Sequence, residues 1–187
     1  MRTKIILAAL ALPAFAAPAA AQVNGTVNVN GSVADRCLFT TPSETISVGE
    51  LALPGTGANA GRLDAGKLDG ETRTLSGWCN GTAATMTVEA LPLLNADFTS
   101  AAPTGFDRRV DYSAAAAANS ATANDTSTGS PGAGSPVSVG LFTGDVVVTL
   151  SGSSSPTGGL LVAGDYQGQV IVTLSPNVSV GDTPTEQ

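Results

Sequence analysis

An almost unbroken alternation of apolar and polar residues runs from Val23 to Cys37. Valine recurs on the odd positions, at Val23, Val27, Val29 and Val33, whereas the even positions carry Asn, Thr, Ser, Ala and Arg. Successive side chains of a strand point to opposite faces, so this pattern predicts a strand with one apolar and one polar face. Such a strand near the amino end can pair with its own sheet or with that of a neighbouring molecule.

Residues 1–21 have the features of a secretory signal peptide, and we expect cleavage before Gln22. Arg2 and Lys4 precede an apolar run that ends near Ala17, and small residues follow it. The run is shorter than the ~20 residues that a membrane-spanning helix needs. We therefore expect an exported protein whose residues 22–187 form a single domain.

Charge and composition argue against several classes of function. The leader carries two of the eight basic residues and none of the fifteen acidic ones, so the formal charge of −7 becomes −9 without it. Nucleic acids and anionic lipids attract clustered Lys and Arg, so we expect no nucleic-acid partner and no membrane insertion.

The residues that usually carry catalysis are sparse. The chain has no histidine, and Lys67 is the only lysine after the leader. A serine or threonine nucleophile would therefore have few bases to activate it. Asp107 and Asp111 flank an arginine pair and are interpreted as solvated loop charges. Asp64, Asp69 and Glu71 do not have the spacing of a calcium-binding loop, so we expect no enzyme activity, cofactor or metal.

Two cysteines, Cys37 and Cys79, predict one disulfide, because exported chains with an even cysteine count are usually oxidised. Trp78 precedes the second cysteine. It either packs over the disulfide as part of the core, which we favour, or lines a binding surface.

Several further segments have the alternation or the short apolar runs of strands. They are separated by Gly, Pro, Asn and Asp turn signals and comprise residues 44–53, 72–79, 85–91, 137–141, 146–150 and 166–174. Many short strands with frequent turns predict an all-β antiparallel sandwich. Residues 113–136, an Ala run followed by a Ser/Gly/Pro/Thr tract, are expected to form a flexible surface excursion with at most one helical turn.

The arrangement resembles the bacterial chaperone–usher pilins, in particular the branch of spore coat protein U and the archaic pili. The resemblance rests on the alternating stretch that runs into Cys37, on Ser76-Gly77-Trp78-Cys79-Asn80, and on the closing element Gly164-Asp165-Tyr166 with its Val/Thr strand. Arg109 and Tyr112 also look like residues of that branch.

The resemblance implies an immunoglobulin-like sandwich that lacks its last strand. In such proteins a periplasmic chaperone lends a strand to the open groove, an outer-membrane usher exports the subunit, and the next like subunit then donates its amino-terminal strand. Val23, Val27 and Val29 would be the inserted residues. The residues expected in the subunit's own core or groove are Val33, Trp78, Tyr166, Val170, Val172 and Leu174.

Two departures from that pattern leave a second function open. The segment before Cys37 is short for a donated strand, and the chain continues beyond Leu174 into a tail, residues 175–187, with Val178 and Val180 at alternating positions. The leading hypothesis is a structural subunit of a surface pilus or coat. The alternative is a self-complete immunoglobulin-like adhesin or ligand-binding module whose tail supplies the missing strand.

Overall fold

The computed structural model of the chain describes residues 23–176. The leader predicted at residues 1–21 and most of the tail, with Val178 and Val180, lie outside the described residues. The chain divides into two compact units, one up to Val33 and one from Ala34 onward.

In the first unit, no residue from Val23 to Val33 belongs to a strand. The apolar side chains of Val23, Val27, Val29 and Val33 are all at least 85% exposed. The prediction that Val33 lies in the first strand of the domain, as a core or groove residue, is therefore wrong. The strand begins only at Cys37, because it is there that the backbone meets a partner strand.

The described part of the second unit, residues 34–176, contains ten strands and one short 3-10 helix, Ala65–Lys67. The strands are β1 Cys37–Thr41, β2 Thr72–Cys79, β3 Thr85–Asn95, β4 Phe106–Asp107, β5 Arg109–Ala118, β6 Ala121–Thr126, β7 Val137–Ser138, β8 Phe142–Ser154, β9 Leu160–Leu161 and β10 Tyr166–Ser175. The prediction of an all-β antiparallel sandwich is confirmed.

Eight of these strands form one antiparallel sheet in the order β1-β2-β8-β5-β3-β10, with β6 beside β5 and β7 beside β3. The strand β5 changes partner along its length. Its start pairs with β3 at Leu93 and Leu94, whereas its later residues pair with β8 and β6. A register shift between Asp111 and Ser113 marks the change, as bulges do where a strand passes between the layers of a sandwich.

The core lies between the β3 layer and the β8–β5 layer. Met86 and Val88 of β3 are fully buried, as are Val146 of β8 and Ala116 of β5. The carboxylate of Asp125 on β6 accepts a hydrogen bond of 2.7 Å from the amide of Ala90, which ties the two layers together. The centre of the fold is thus supplied by two predicted strands, residues 85–91 and 146–150, together with the alanine run of β5.

The prediction of a flexible surface excursion at residues 113–136 is wrong for its first half. Residues 113–118 belong to β5 and residues 121–126 to β6, and alternate alanines of these strands, Ala114, Ala116, Ala118 and Ala123, lie in the core. Asn119 and Ser120 have φ angles of 45° and 63° and form the two-residue turn of a hairpin. Strand pairing on both sides of β5 overrides the helical preference of the alanine run. Only residues 127–136 form a loop.

Candidate functional site

A groove of about 1070 Å³ opens between β10 and the segment of residues 42–52. Its floor comes from both layers of the sandwich and is apolar except at Arg73 and Tyr112. It consists of Leu68, Arg73, Leu75, Leu93, Tyr112, Val148 and Leu150. Its walls are residues 42–52 on one side and residues 161–172 on the other. The groove therefore gives access to the core from one edge of the domain.

One wall of the groove is the free edge of β10. This strand pairs with β3 along its whole length, and within residues 23–176 no strand pairs with its other edge. Val172 lies opposite Val88 and Val170 opposite Ala90. The two β3 residues are buried, whereas the two valines of β10 are only half-buried. The core is therefore incompletely covered where a further strand would lie.

The opposite wall follows β1 without forming a strand, although residues 44–53 were predicted as one. Ile46 and Val48 pack against the core, so the alternation of the sequence correctly indicated which side chains turn inward. The guanidinium Nε of Arg73 donates to the carbonyl of Thr45 at 2.7 Å in place of a backbone partner. The bridge between Ala52 and Leu63 is the first backbone pairing after β1.

Tyr112 is the buried polar residue of the floor, which also contains Arg73. Its side chain is 3% exposed, and its hydroxyl lies 2.6 Å from the carbonyl oxygen of Leu91 and 3.0 Å from that of Gln169. Burial raises the pKa of this tyrosine to about 12, because the phenolate would lose its hydration. The hydroxyl therefore remains a donor and holds β5, β3 and β10 together beneath the groove.

The two ends of the groove differ. At one end Gly77 lies so close to Leu174 and Phe39 that an added Cβ would be 3.3 and 3.2 Å from their side chains. Leu174 thus packs against β1 and β2 and closes this end. At the other end the hydroxyl of Tyr166 lies 2.9 Å from the carbonyl of Val162, and residues 162–165 line the groove up to its mouth.

A buried carboxylate anchors the turns behind the open end. Asp107 is 4% exposed and accepts hydrogen bonds from the amide of Gly159 at 2.8 Å and from the amide and hydroxyl of Thr157. Burial by itself would raise the pKa of Asp107. The hydrogen bonds from Gly159, Thr157 and Ser155 outweigh this effect and hold the pKa below its usual value of 3.8.

Asp111 is also buried, at 5% exposure. It accepts hydrogen bonds from Arg109 and Ser127, and the hydroxyl of Ser127 in turn accepts one from the amide of Tyr112. The interpretation of Asp107 and Asp111 as solvated loop charges is therefore wrong. Both carboxylates have their hydrogen-bond partners inside the protein and act as structural anchors.

The predicted disulfide between Cys37 and Cys79 is confirmed, and it joins β1 to β2. Next to it, the side chain of Asn80 accepts from the amide of Arg36 and donates to the carbonyl of Ala34. These bonds hold residues 34–36 beside the end of β2.

The predicted site residues have different locations. Tyr166, Val170 and Val172 line the groove. Leu174 packs against the core at the closed end and is not part of the groove lining. The prediction that Trp78 packs in the core is wrong, because neighbouring residues of a strand face opposite sides and Cys79 is the one that faces inward. Trp78 lies half-buried beside Leu38 on the outer face.

Sequence reasoning did not identify Tyr112 as a groove residue, nor residues 42–52 as a wall. Within residues 23–176 no group of His, Cys, Asp and Glu side chains could hold a metal ion. The same range contains no helix with the length and hydropathy needed to cross a membrane. Comparison with known proteins found no similarity: no protein-family model, no curated protein and no solved structure matches this chain.

Proposed function

We propose that this protein is an exported structural subunit of a surface fibre or coat, whose copies assemble by donating residues 23–33 into the groove of a neighbour. The observation that carries the proposal is the free edge of β10, where Val170 and Val172 remain half-buried above an apolar floor. An added strand would satisfy the backbone groups of this edge and fill the groove with alternate side chains.

The segment of residues 23–33 suits this role. Its apolar face carries Val23, Val27, Val29 and Val33 with two glycines between them, and it has no charged residue. The four valines are at least 85% exposed. Burying each of them would contribute about 1.5–3 kcal/mol before the entropy of ordering is subtracted. In this proposal a periplasmic chaperone and an outer-membrane usher handle the subunit before assembly, and the protein has no catalytic role.

The tail is a poorer candidate for the groove, on its sequence alone. In an antiparallel hairpin, residues directly opposite each other share a face. If a three-residue turn follows Ser175, Val180 would face Leu174, but Asp182 would then face Val172. A turn that is one residue shorter or longer would turn Ser179, Gly181 and Thr183 inward. Neither arrangement fills an apolar groove, which favours donation from residues 23–33.

The first experiment replaces Val27 and Val29 by Asp in the chain without its leader. We expect polymers, measured by analytical ultracentrifugation, to be lost while the melting temperature of the monomer is unchanged. The matched control replaces Asn28 and Asn30 by Asp, which adds the same charge to the polar face and should leave polymers intact. Equal assembly of both variants would refute the role of the apolar face.

The second experiment tests the groove directly with a synthetic peptide of residues 23–33. Added to the chain that carries V27D and V29D, it should raise the melting temperature in a concentration-dependent manner. The same peptide with Asp at both valine positions should have no effect. Absence of stabilisation by the native peptide would overturn the proposal.

The self-complete module is the second candidate, favoured only by the valines at positions 178 and 180. Deleting residues 177–187 separates the two. A large loss of monomer stability would support the module, whereas the fibre subunit should lose little.

A further inference from the structure

A second, smaller pocket lies at the open end of the groove. It has a volume of about 220 Å³ and is lined by Phe98, Pro103, Phe106, Val162 and Ala163. Phe106 is 41% exposed although it is a large apolar residue. We call this the end pocket. Because its lining is almost entirely apolar, it suits an aliphatic or aromatic side chain rather than a polar ligand.

The end pocket adjoins the groove. Val162 and Ala163 line both cavities. The side-chain amide of Asn95, which is 2% exposed, donates to the carbonyls of these two residues at 3.0 and 3.2 Å. The wall that the cavities share is therefore held in place, and whatever occupies the groove passes directly beside the end pocket.

The shape of the groove indicates which part of a donating copy would reach this pocket. Phe39 and Leu174 close the other end, so the body of the donor would enter from the Tyr166 end. The donated segment would then run antiparallel to β10, like the other pairs of the main sheet. The residues that follow Val33 would emerge next to Val162 and Ala163.

Leu38 is the first large apolar residue after Val33 apart from the disulfide-bonded Cys37, and it is 54% exposed. It lies on β1 beside Trp78, on the outer face of the sheet. The five residue steps from Val33 to Leu38 span at most about 17 Å, so Leu38 can reach only the surface that adjoins the mouth of the groove. We propose that Leu38 of one copy inserts into the end pocket of the next.

This contact rests on the proposed strand donation and adds a second point of attachment. A donated strand alone would connect two domains through a single segment. An additional contact between folded domains at the mouth of the groove would fix their relative orientation. The occupant of the end pocket is therefore a second copy of this chain. Strand donation brings the folded domain of the donating copy, and no other molecule, to the mouth of the groove.

The test compares three single variants of the chain without its leader: Leu38→Ser, Phe106→Ser and, as the matched control, Leu141→Ser. Leu141 is 57% exposed and lies outside both cavities. The readout is the concentration at which half of the chain is polymeric. We expect Leu38→Ser and Phe106→Ser each to raise it about tenfold, from the loss of one buried apolar side chain, and Leu141→Ser to leave it unchanged. The double variant should be no worse than either single variant.

Peptide binding distinguishes this inference from the proposed function. The peptide of residues 23–33 ends before Leu38, so its affinity for the groove should be the same in the Phe106→Ser variant as in the native chain. Normal peptide binding with unchanged assembly of both variants would overturn the contact and leave strand donation standing. Failure of the peptide to bind the native chain would overturn both. If Phe106→Ser lowers the melting temperature, the assembly of Leu38→Ser alone decides whether the contact exists.

Discussion

Replacement of Asp107 by Asn tests whether a buried carboxylate maintains the open end of the groove. The carboxylate accepts from the amide of Gly159 at 2.8 Å and from the hydroxyl and amide of Thr157 at 3.0 and 3.2 Å. Asparagine has nearly the same shape but no charge. If its carbonyl oxygen takes the place of Oδ2, all three bonds remain, and only their charge assistance is lost.

The magnitude follows from the difference between charged and neutral hydrogen bonds. Bonds to charged groups contribute about 1.5–3 kcal/mol and neutral ones about 0.5–1.5 kcal/mol. The difference is about 1–1.5 kcal/mol per bond, so the three bonds together should lose about 3–4.5 kcal/mol of the free energy of unfolding at neutral pH. Asp107 is 4% exposed, so water does not reach its side chain and cannot offset the weaker hydrogen bonds of the neutral residue.

The pH dependence provides the sharper test. Since the hydrogen bonds lower the pKa of Asp107 below 3.8, an unfolded chain takes up this proton at a higher pH than the folded chain. The carboxylate contributes its full stabilisation at pH values above 3.8, the usual pKa, which applies to the unfolded chain. This contribution is lost as the pH falls through the lowered pKa of the folded chain. The difference between the native chain and Asp107→Asn should be largest near pH 7 and shrink in acid.

The assay is urea unfolding with the disulfide intact, at neutral pH and near pH 3, in the V27D and V29D background so that assembly does not contribute. The matched control is Asp145→Asn, an exposed carboxylate with one bond of 3.3 Å from Ser76, which should change stability by less than about 0.5 kcal/mol. The role of the carboxylate would be refuted if Asp107→Asn were as stable as the native chain at pH 7. It would also be refuted if the difference in unfolding free energy between the two did not change in acid.

Three further substitutions test other supports of the groove by the same unfolding assay. Tyr112→Phe should cost about 1–3 kcal/mol by removing the donor to the part-buried carbonyls of Leu91 and Gln169. It should also abolish the part of the stability that the native chain loses as the pH rises from 10.0 to about 12. An unchanged alkaline profile would contradict this role. Asn95→Ala should cost about 3 kcal/mol, since its amide bonds four backbone groups of two turns, and a loss under 1 kcal/mol would count against it. Replacing Cys37 and Cys79 by Ser opens a loop of 42 residues and should cost about 4 kcal/mol; equal midpoints for the oxidised native chain and this variant would show that the cross-link does not stabilise the fold.

The central strands could be predicted because their signal is local. The runs at residues 72–79, 85–91, 146–150 and 166–174 all fall within strands of the structure, because period-two alternation or a short apolar run between turn signals reports a strand with buried side chains. The alternation of residues 23–33 lacks a partner strand and forms no strand. The alanine run could not be predicted this way. Alanine has a helical preference on its own, and only the strands on both sides of β5 turn it into a strand.

The groove was only partly predictable for the same reason. Val170 and Val172 were identified from alternation, but the sequence does not report that no strand within residues 23–176 pairs with their outer edge. Tyr112 was noted only as a residue of a resemblance. Its place in the floor depends on a register shift that moves β5 from one layer to the other. Trp78 was assigned to the core because it neighbours a cysteine, although a strand turns neighbours to opposite faces.

The sequence by itself determined that this chain forms a disulfide-linked antiparallel β fold and that its amino-terminal segment carries an apolar face. Those properties follow from side-chain period and residue type, which act over a few residues. Only the tertiary structure decided which edge of the sheet stays free, which carboxylates are buried, and where the groove opens. These features depend on contacts between residues far apart in the chain, and on which backbone groups and apolar side chains remain uncovered once every other strand has its partner.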